Sequence, residues 1–72
     1  STRVSFTLHR ASLARLRVFD IAGREVATVL DRDLAAGSHD VTFRSQGLPT
    51  GTYLLALEAD GVVDYRLVTL AR

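Results

Sequence analysis

The feature that most constrains this chain is a period of two. Val4, Phe6 and Leu8 alternate with Arg3, Ser5 and Thr7, and Leu16 and Val18 alternate with Arg15 and Arg17. The alternation returns in Val26, Thr28 and Leu30, in His39, Val41 and Phe43, and in Tyr53, Leu55 and Leu57, with a last run over 62–71. Successive side chains of a strand point to opposite faces, so each run reads as a half-buried strand. The β-branched and aromatic residues in these runs agree with that reading. No segment carries a helical period.

Turn chemistry falls between the runs. Asp20-Ile21-Ala22-Gly23 reads as a three-residue hairpin loop closed by a glycine at positive φ. That loop sets Asp20 opposite Arg24, Val18 opposite Val26 and Leu16 opposite Thr28. Core-facing residues then meet core-facing residues, and the exposed pair has opposite charge. Asp33-Leu34-Ala35-Ala36-Gly37 reads as a second turn, opened by an aspartate and closed by a glycine. In Gly47-Leu48-Pro49-Thr50-Gly51, Pro49 fixes φ and Gly51 permits a left-handed conformation. Asp60-Gly61 is the fourth. A two-residue loop there places Leu57 opposite Asp64, which buries a charge, so a three-residue loop or bulge is predicted, with Leu57 opposite Tyr65 and Leu55 opposite Leu67. About six or seven short strands joined by such turns predict an all-β fold, a small antiparallel β-sandwich of immunoglobulin-like or fibronectin-III-like type.

The 72 residues make one domain, 1–72, without a cysteine to reinforce the core. A chain of this size has little room for the deep, water-excluding cleft that catalysis requires, so a non-enzyme is expected. Nine basic residues, all arginine, balance eight acidic ones to a net charge of +1, which argues against nucleic-acid binding driven by bulk electrostatics. No apolar run approaches the length of a transmembrane helix, so membrane insertion is not expected. With neither a methionine nor a signal peptide in view, the chain is expected to be a piece of a larger secreted protein.

Few residues offer chemistry. Ser38, His39 and Asp40 are the residue types of a hydrolytic triad, but neighbours on a strand face opposite ways and form no relay. His9 and His39 lie far apart without metal-ligand spacing, and the aspartates form no calcium loop. Asp20, Asp31, Asp33 and Asp60 belong in or beside turns as acceptors for backbone N–H groups. No cofactor or metal is implied. Arg3, Arg15 and Arg17 are placed together on one exposed sheet face, and Phe19 is turned away from the face of Val18, where it is the nearest candidate for a sugar platform.

Across nearly its whole length the sequence resembles the type A C-terminal sorting domain of the type IX secretion system, a pattern shared with the Ig-like domain of the flagellar hook-assembly scaffold protein. The resemblance rests on Val4-Ser5-Phe6-Thr7-Leu8, then Leu16-Arg17-Val18-Phe19-Asp20 running into Ile21-Ala22-Gly23-Arg24-Glu25-Val26. It continues through Gly37-Ser38-His39-Asp40-Val41-Thr42-Phe43 and Leu48-Pro49-Thr50-Gly51-Thr52-Tyr53-Leu54-Leu55, and ends on Leu67-Val68-Thr69-Leu70. The Leu-Pro-x-Gly-x-Tyr segment is also similar to the tyrosine corner of fibronectin type III domains. The family's Pro-Asn-Pro lead-in is absent, and its terminal lysines are replaced by Arg66 and Arg72 alone.

The resemblance implies a scaffold role for Asp20, Gly23, Arg24, Gly37, Pro49, Gly51 and Tyr53. It implies a recognition strand of Leu67, Val68, Thr69, Leu70, Ala71 and Arg72, read by outer-membrane secretion and attachment machinery or the cell envelope. The expected role is secretion to the bacterial cell surface of a covalently linked parent, such as a glycoside hydrolase. Two other readings are an accessory carbohydrate-binding module and an Ig-like spacer.

Overall fold

The alternation becomes six strands in a computed structural model that describes residues 2–44 and 47–70. They are β1 (Thr2–Leu8), β2 (Ser12–Phe19), β3 (Glu25–Leu34), β4 (Gly37–Phe43), β5 (Gly51–Ala59) and β6 (Val62–Leu70). All pairings are antiparallel. β1 and β4 form a two-stranded sheet, and the other strands form a four-stranded sheet in the order β3-β2-β5-β6. The chain is therefore a small all-β sandwich, with no helix among the described residues.

The inward faces make one core. β2 contributes Ala14, Leu16 and Val18, all 0% exposed, and β5 contributes Tyr53 and Leu55. Val4 of β1 and Phe43 of β4 close over them from the smaller sheet. Burial of a side chain such as Leu16 stabilises the fold by about 1.5–3 kcal/mol, a large share for a domain this small. β2 sits at the centre because it pairs on both sides, with Leu16 opposite Leu30 of β3 and Leu57 of β5.

Two expected registers and one expected turn are corrected. Beyond the mouth of the β2–β3 hairpin, Val18 meets Ala27 rather than Val26, and Leu16 meets Leu30 rather than Thr28. Two bulges in β3 cause the shift. Each slips the pairing by one residue, so two restore the facing while advancing it by two. The result buries Leu30 and leaves Thr28 exposed. In the β5–β6 hairpin the loop is the two-residue one after all. Asp60 and Gly61 have φ of 53° and 74°, and Leu57 pairs with Asp64, not Tyr65. Two positive φ values in a row are the type I′ geometry that matches strand twist. Asp64 escapes the expected burial because the smaller sheet does not cover β6 there, and it stays exposed. Finally, Asp33 opens no turn. It lies within β3 opposite Leu13, and Ala35-Ala36 alone carries the chain to β4.

Candidate functional site

Six of the seven expected scaffold residues and the end of β6 meet at one pole of the sandwich. Asp20 organises the β2–β3 turn. Its Oδ1 accepts from the backbone N–H of Ala22 at 3.0 Å and of Arg24 at 2.9 Å, and its Oδ2 accepts from Arg24 Nε at 3.0 Å. The backbone closes the same loop, with Asp20 N donating to Arg24 O and Gly23 N to Asp20 O. Gly23 has a φ of 88°, a conformation costly for residues bearing a Cβ. Asp20 opposite Arg24 is thus the predicted arrangement. The Arg24 backbone N–H chiefly holds the Asp20 carboxyl below its ordinary pKa of 3.8; desolvation opposes it, and the Arg24 guanidinium and the Ala22 N–H add to the lowering.

The second latch is Tyr53. Its ring is buried, and its hydroxyl donates to the Pro49 carbonyl at 2.7 Å. Pro49 and Tyr53 therefore pin the crossing from the β4–β5 loop into β5, as the tyrosine-corner resemblance implied. Gly51, with a φ of 154°, pairs with Leu70 and brings the end of β6 alongside. Between the latches lies a shallow depression of about 340 Å³ lined by Asp20, Ile21, Thr50, Gly51, Thr52 and Tyr53. Ile21 stands 87% exposed at its rim. The one carboxylate in this lining is already occupied by three donors and has a lowered pKa, so it remains an anion near neutral pH. Gly37 is not part of this pole; it opens β4 opposite Leu8. Of the expected recognition strand, Leu67–Leu70 are in β6, and Ala71 and Arg72 lie outside the described residues.

The outward face of the larger sheet is the second candidate surface. Phe19, Leu54 and Leu67 form one cross-strand row, and Arg17, Ala56 and Tyr65 the next. Leu67 and Tyr65 are 74% and 60% exposed. The Arg17 guanidinium lies 5.4 Å from the Phe19 ring centroid and 3.5 Å from carboxylate oxygens of both Glu25 and Glu58. The expected arginine stripe does not form. Arg3 is on the outer face of the smaller sheet, and Arg15 pairs with Asp31 at 3.4 Å. Sequence reasoning missed Tyr65 as a surface residue because it assigned β6 the wrong register. The Asp-Gly pair, a strong signal for a two-residue hairpin, was the clue.

Other candidates resolve into local structure. His39 stacks on Phe6 with centroids 5.6 Å apart and its Nε2 bonds the Ala35 carbonyl at 2.7 Å. Ser38 and Asp40 turn to the opposite face, toward Thr7 and Ser5 of β1. No group of three or more potential metal ligands occurs among the described residues. In comparisons with known proteins, the chain matches no family model, no curated protein and no solved structure.

Proposed function

We propose that this domain is a non-catalytic, immunoglobulin-like sorting and attachment module that directs a larger protein to the bacterial cell surface. The observation that carries the reading is β6. The last of the described strands, it is an edge strand whose outward residues Val63, Tyr65 and Leu67 are all exposed. The motif residues Asp20, Pro49 and Tyr53 serve as latches beside its end and bind no substrate. An edge strand with an exposed apolar row suits recognition by a protein receptor, because backbone groups and side chains are offered together. Aromatic and aliphatic groups on one open face are also the usual mark of an interaction surface.

The test is localisation. Residues 1–72 are fused to the C-terminus of an exported fluorescent protein in a bacterium with type IX secretion, and the cells are fractionated. The fusion is expected at the surface or in the medium. A variant with Val63, Tyr65 and Leu67 changed to threonine is expected to fold but remain in the periplasm. Periplasmic retention of the unaltered fusion, or normal delivery of the variant, rejects the reading.

Phe19 and Tyr65 on one face give the carbohydrate-binding alternative some support. Leu54 and Leu67 beside them, rather than further rings or free polar groups, favour a protein partner.

A further inference from the structure

The two sheets differ in width, and the difference is left open on one side. Four strands face two. On the β3 side the cover is sufficient to bury Leu30. On the β6 side it fails: Val62, Asp64 and Arg66 lie on the same sheet face as buried Tyr53 and Leu55, yet all three are exposed, Val62 at 66%. Among the described residues, β1 is paired on one side only, by β4. Between β1 and the uncovered face of β6 runs a groove of about 460 Å³.

β1 forms one wall of that groove. Thr7 lines it together with Phe6 and Leu8, although the Thr7 hydroxyl points to the outer face, 3.5 Å from the Ser38 hydroxyl. Three consecutive residues of β1 on the groove, with alternating side-chain directions, place the edge of the strand along it. A strand edge carries a row of N–H and C=O groups that only another backbone matches in spacing.

We propose that this groove is a receptor site for a single extended strand of a partner polypeptide, which pairs with the free edge of β1 and covers β6. The site is independent of the sorting reading above, which rests on the outward face of β6. Neighbouring strands stand about 4.8 Å apart and packed sheets about 10 Å, so one added strand beside β1 lies over the β6 face. The groove sets the chemistry of its inward side chains. They are apolar where they meet Leu57, Ala59 and Val62, and small and polar where they meet Asp64 and Arg66, which pair with each other at 3.7 Å. A second copy of this chain is the competing occupant, and sedimentation separates the two.

The probe is an alternating strand, Thr-Val-Thr-Ser-Thr-Val-Thr, joined to residue 1 by a flexible Gly/Ser linker so that its effective concentration is in the millimolar range. Amide hydrogen exchange across β1 is the readout. Docking is expected to slow exchange of the β1 amides by roughly tenfold or more relative to the unfused chain. Two controls are expected to lose that protection: a strand with both valines replaced by aspartate, and the docked fusion carrying Val62→Glu. Val62 is exposed, so its substitution leaves the fold intact, as circular dichroism checks. The proposal is overturned if β1 gains no protection, if Val62→Glu leaves the gain unchanged, or if sedimentation shows that protection accompanies dimerisation.

Discussion

The β2–β3 and β5–β6 hairpins start from the same ingredients. Each joins a central strand to an edge strand, and each has an aspartate and a glycine in its turn. In the first, Asp20 holds a three-residue loop through its carboxylate, and the edge strand then bulges twice so that Leu30 reaches the core. In the second, Asp60 itself adopts positive φ, the loop has two residues, and β6 runs in unbroken register with most of its residues exposed. Turn composition alone does not separate them. What separates them is the opposite sheet: β3 has a cover to adapt to, and β6 is covered only toward Val68 and Leu70.

The comparison is sharpened most by deleting equivalent bulk from the two regions. Leu16→Ala, at the centre of the covered region, is expected to cost about 2–5 kcal/mol, enough to leave so small a domain largely unfolded. Leu67→Ala, on the open face of β6, is expected to change stability by no more than about 0.5 kcal/mol. Urea denaturation followed by circular dichroism measures both. Equal losses at the two sites would mean that the outer face of β6 is not open in solution.

A smaller effect tests the latch at the shared pole. Tyr53→Phe keeps the ring and removes the hydroxyl, leaving the Pro49 carbonyl without its donor. A loss of about 0.5–1.5 kcal/mol is expected, again from urea midpoints. No change would assign the residue's role to its ring alone.

The smallest effect is a pH signature. Asp20 has a lowered pKa in the folded chain, so its contribution is present above the unfolded value near 3.8 and is lost as pH falls through the lower folded value. The stability gap between the parent and Asp20→Asn should stay constant near neutrality and narrow as pH falls below about 4. A gap that widens in acid would contradict the bonding pattern of the turn.

Local features of this chain were legible in the sequence, and features that depend on tertiary cover were not. The strands, the Asp20–Arg24 pairing and the Tyr53 latch all rest on residues within a few positions of each other, where side-chain type and spacing decide the outcome. The bulges in β3 depend on where the smaller sheet lies, which the alternation of Val26, Thr28 and Leu30 does not encode. The same holds for Asp64. A charge opposite Leu57 looked prohibitive because a residue facing the core side was expected to be buried. The candidate surfaces were correspondingly less legible. Phe19 was rightly turned outward by its place in β2, whereas Tyr65 and the β1 groove emerge only once the order of the strands is known.

β2 has a consequence for the order of assembly. It pairs with β3 through a three-residue loop, and β5 pairs with β6 through a two-residue loop, so both hairpins close locally. β1 and β4 share no hairpin; their partners range from Leu8↔Gly37 to Thr2↔Phe43, with all of β2 and β3 between. Closing that long loop costs chain entropy before any contact repays it. The two hairpins are therefore expected to form first, and the β1–β4 and β2–β5 pairings, the latter closing the still longer loop from Phe19 to Leu54, are expected to follow.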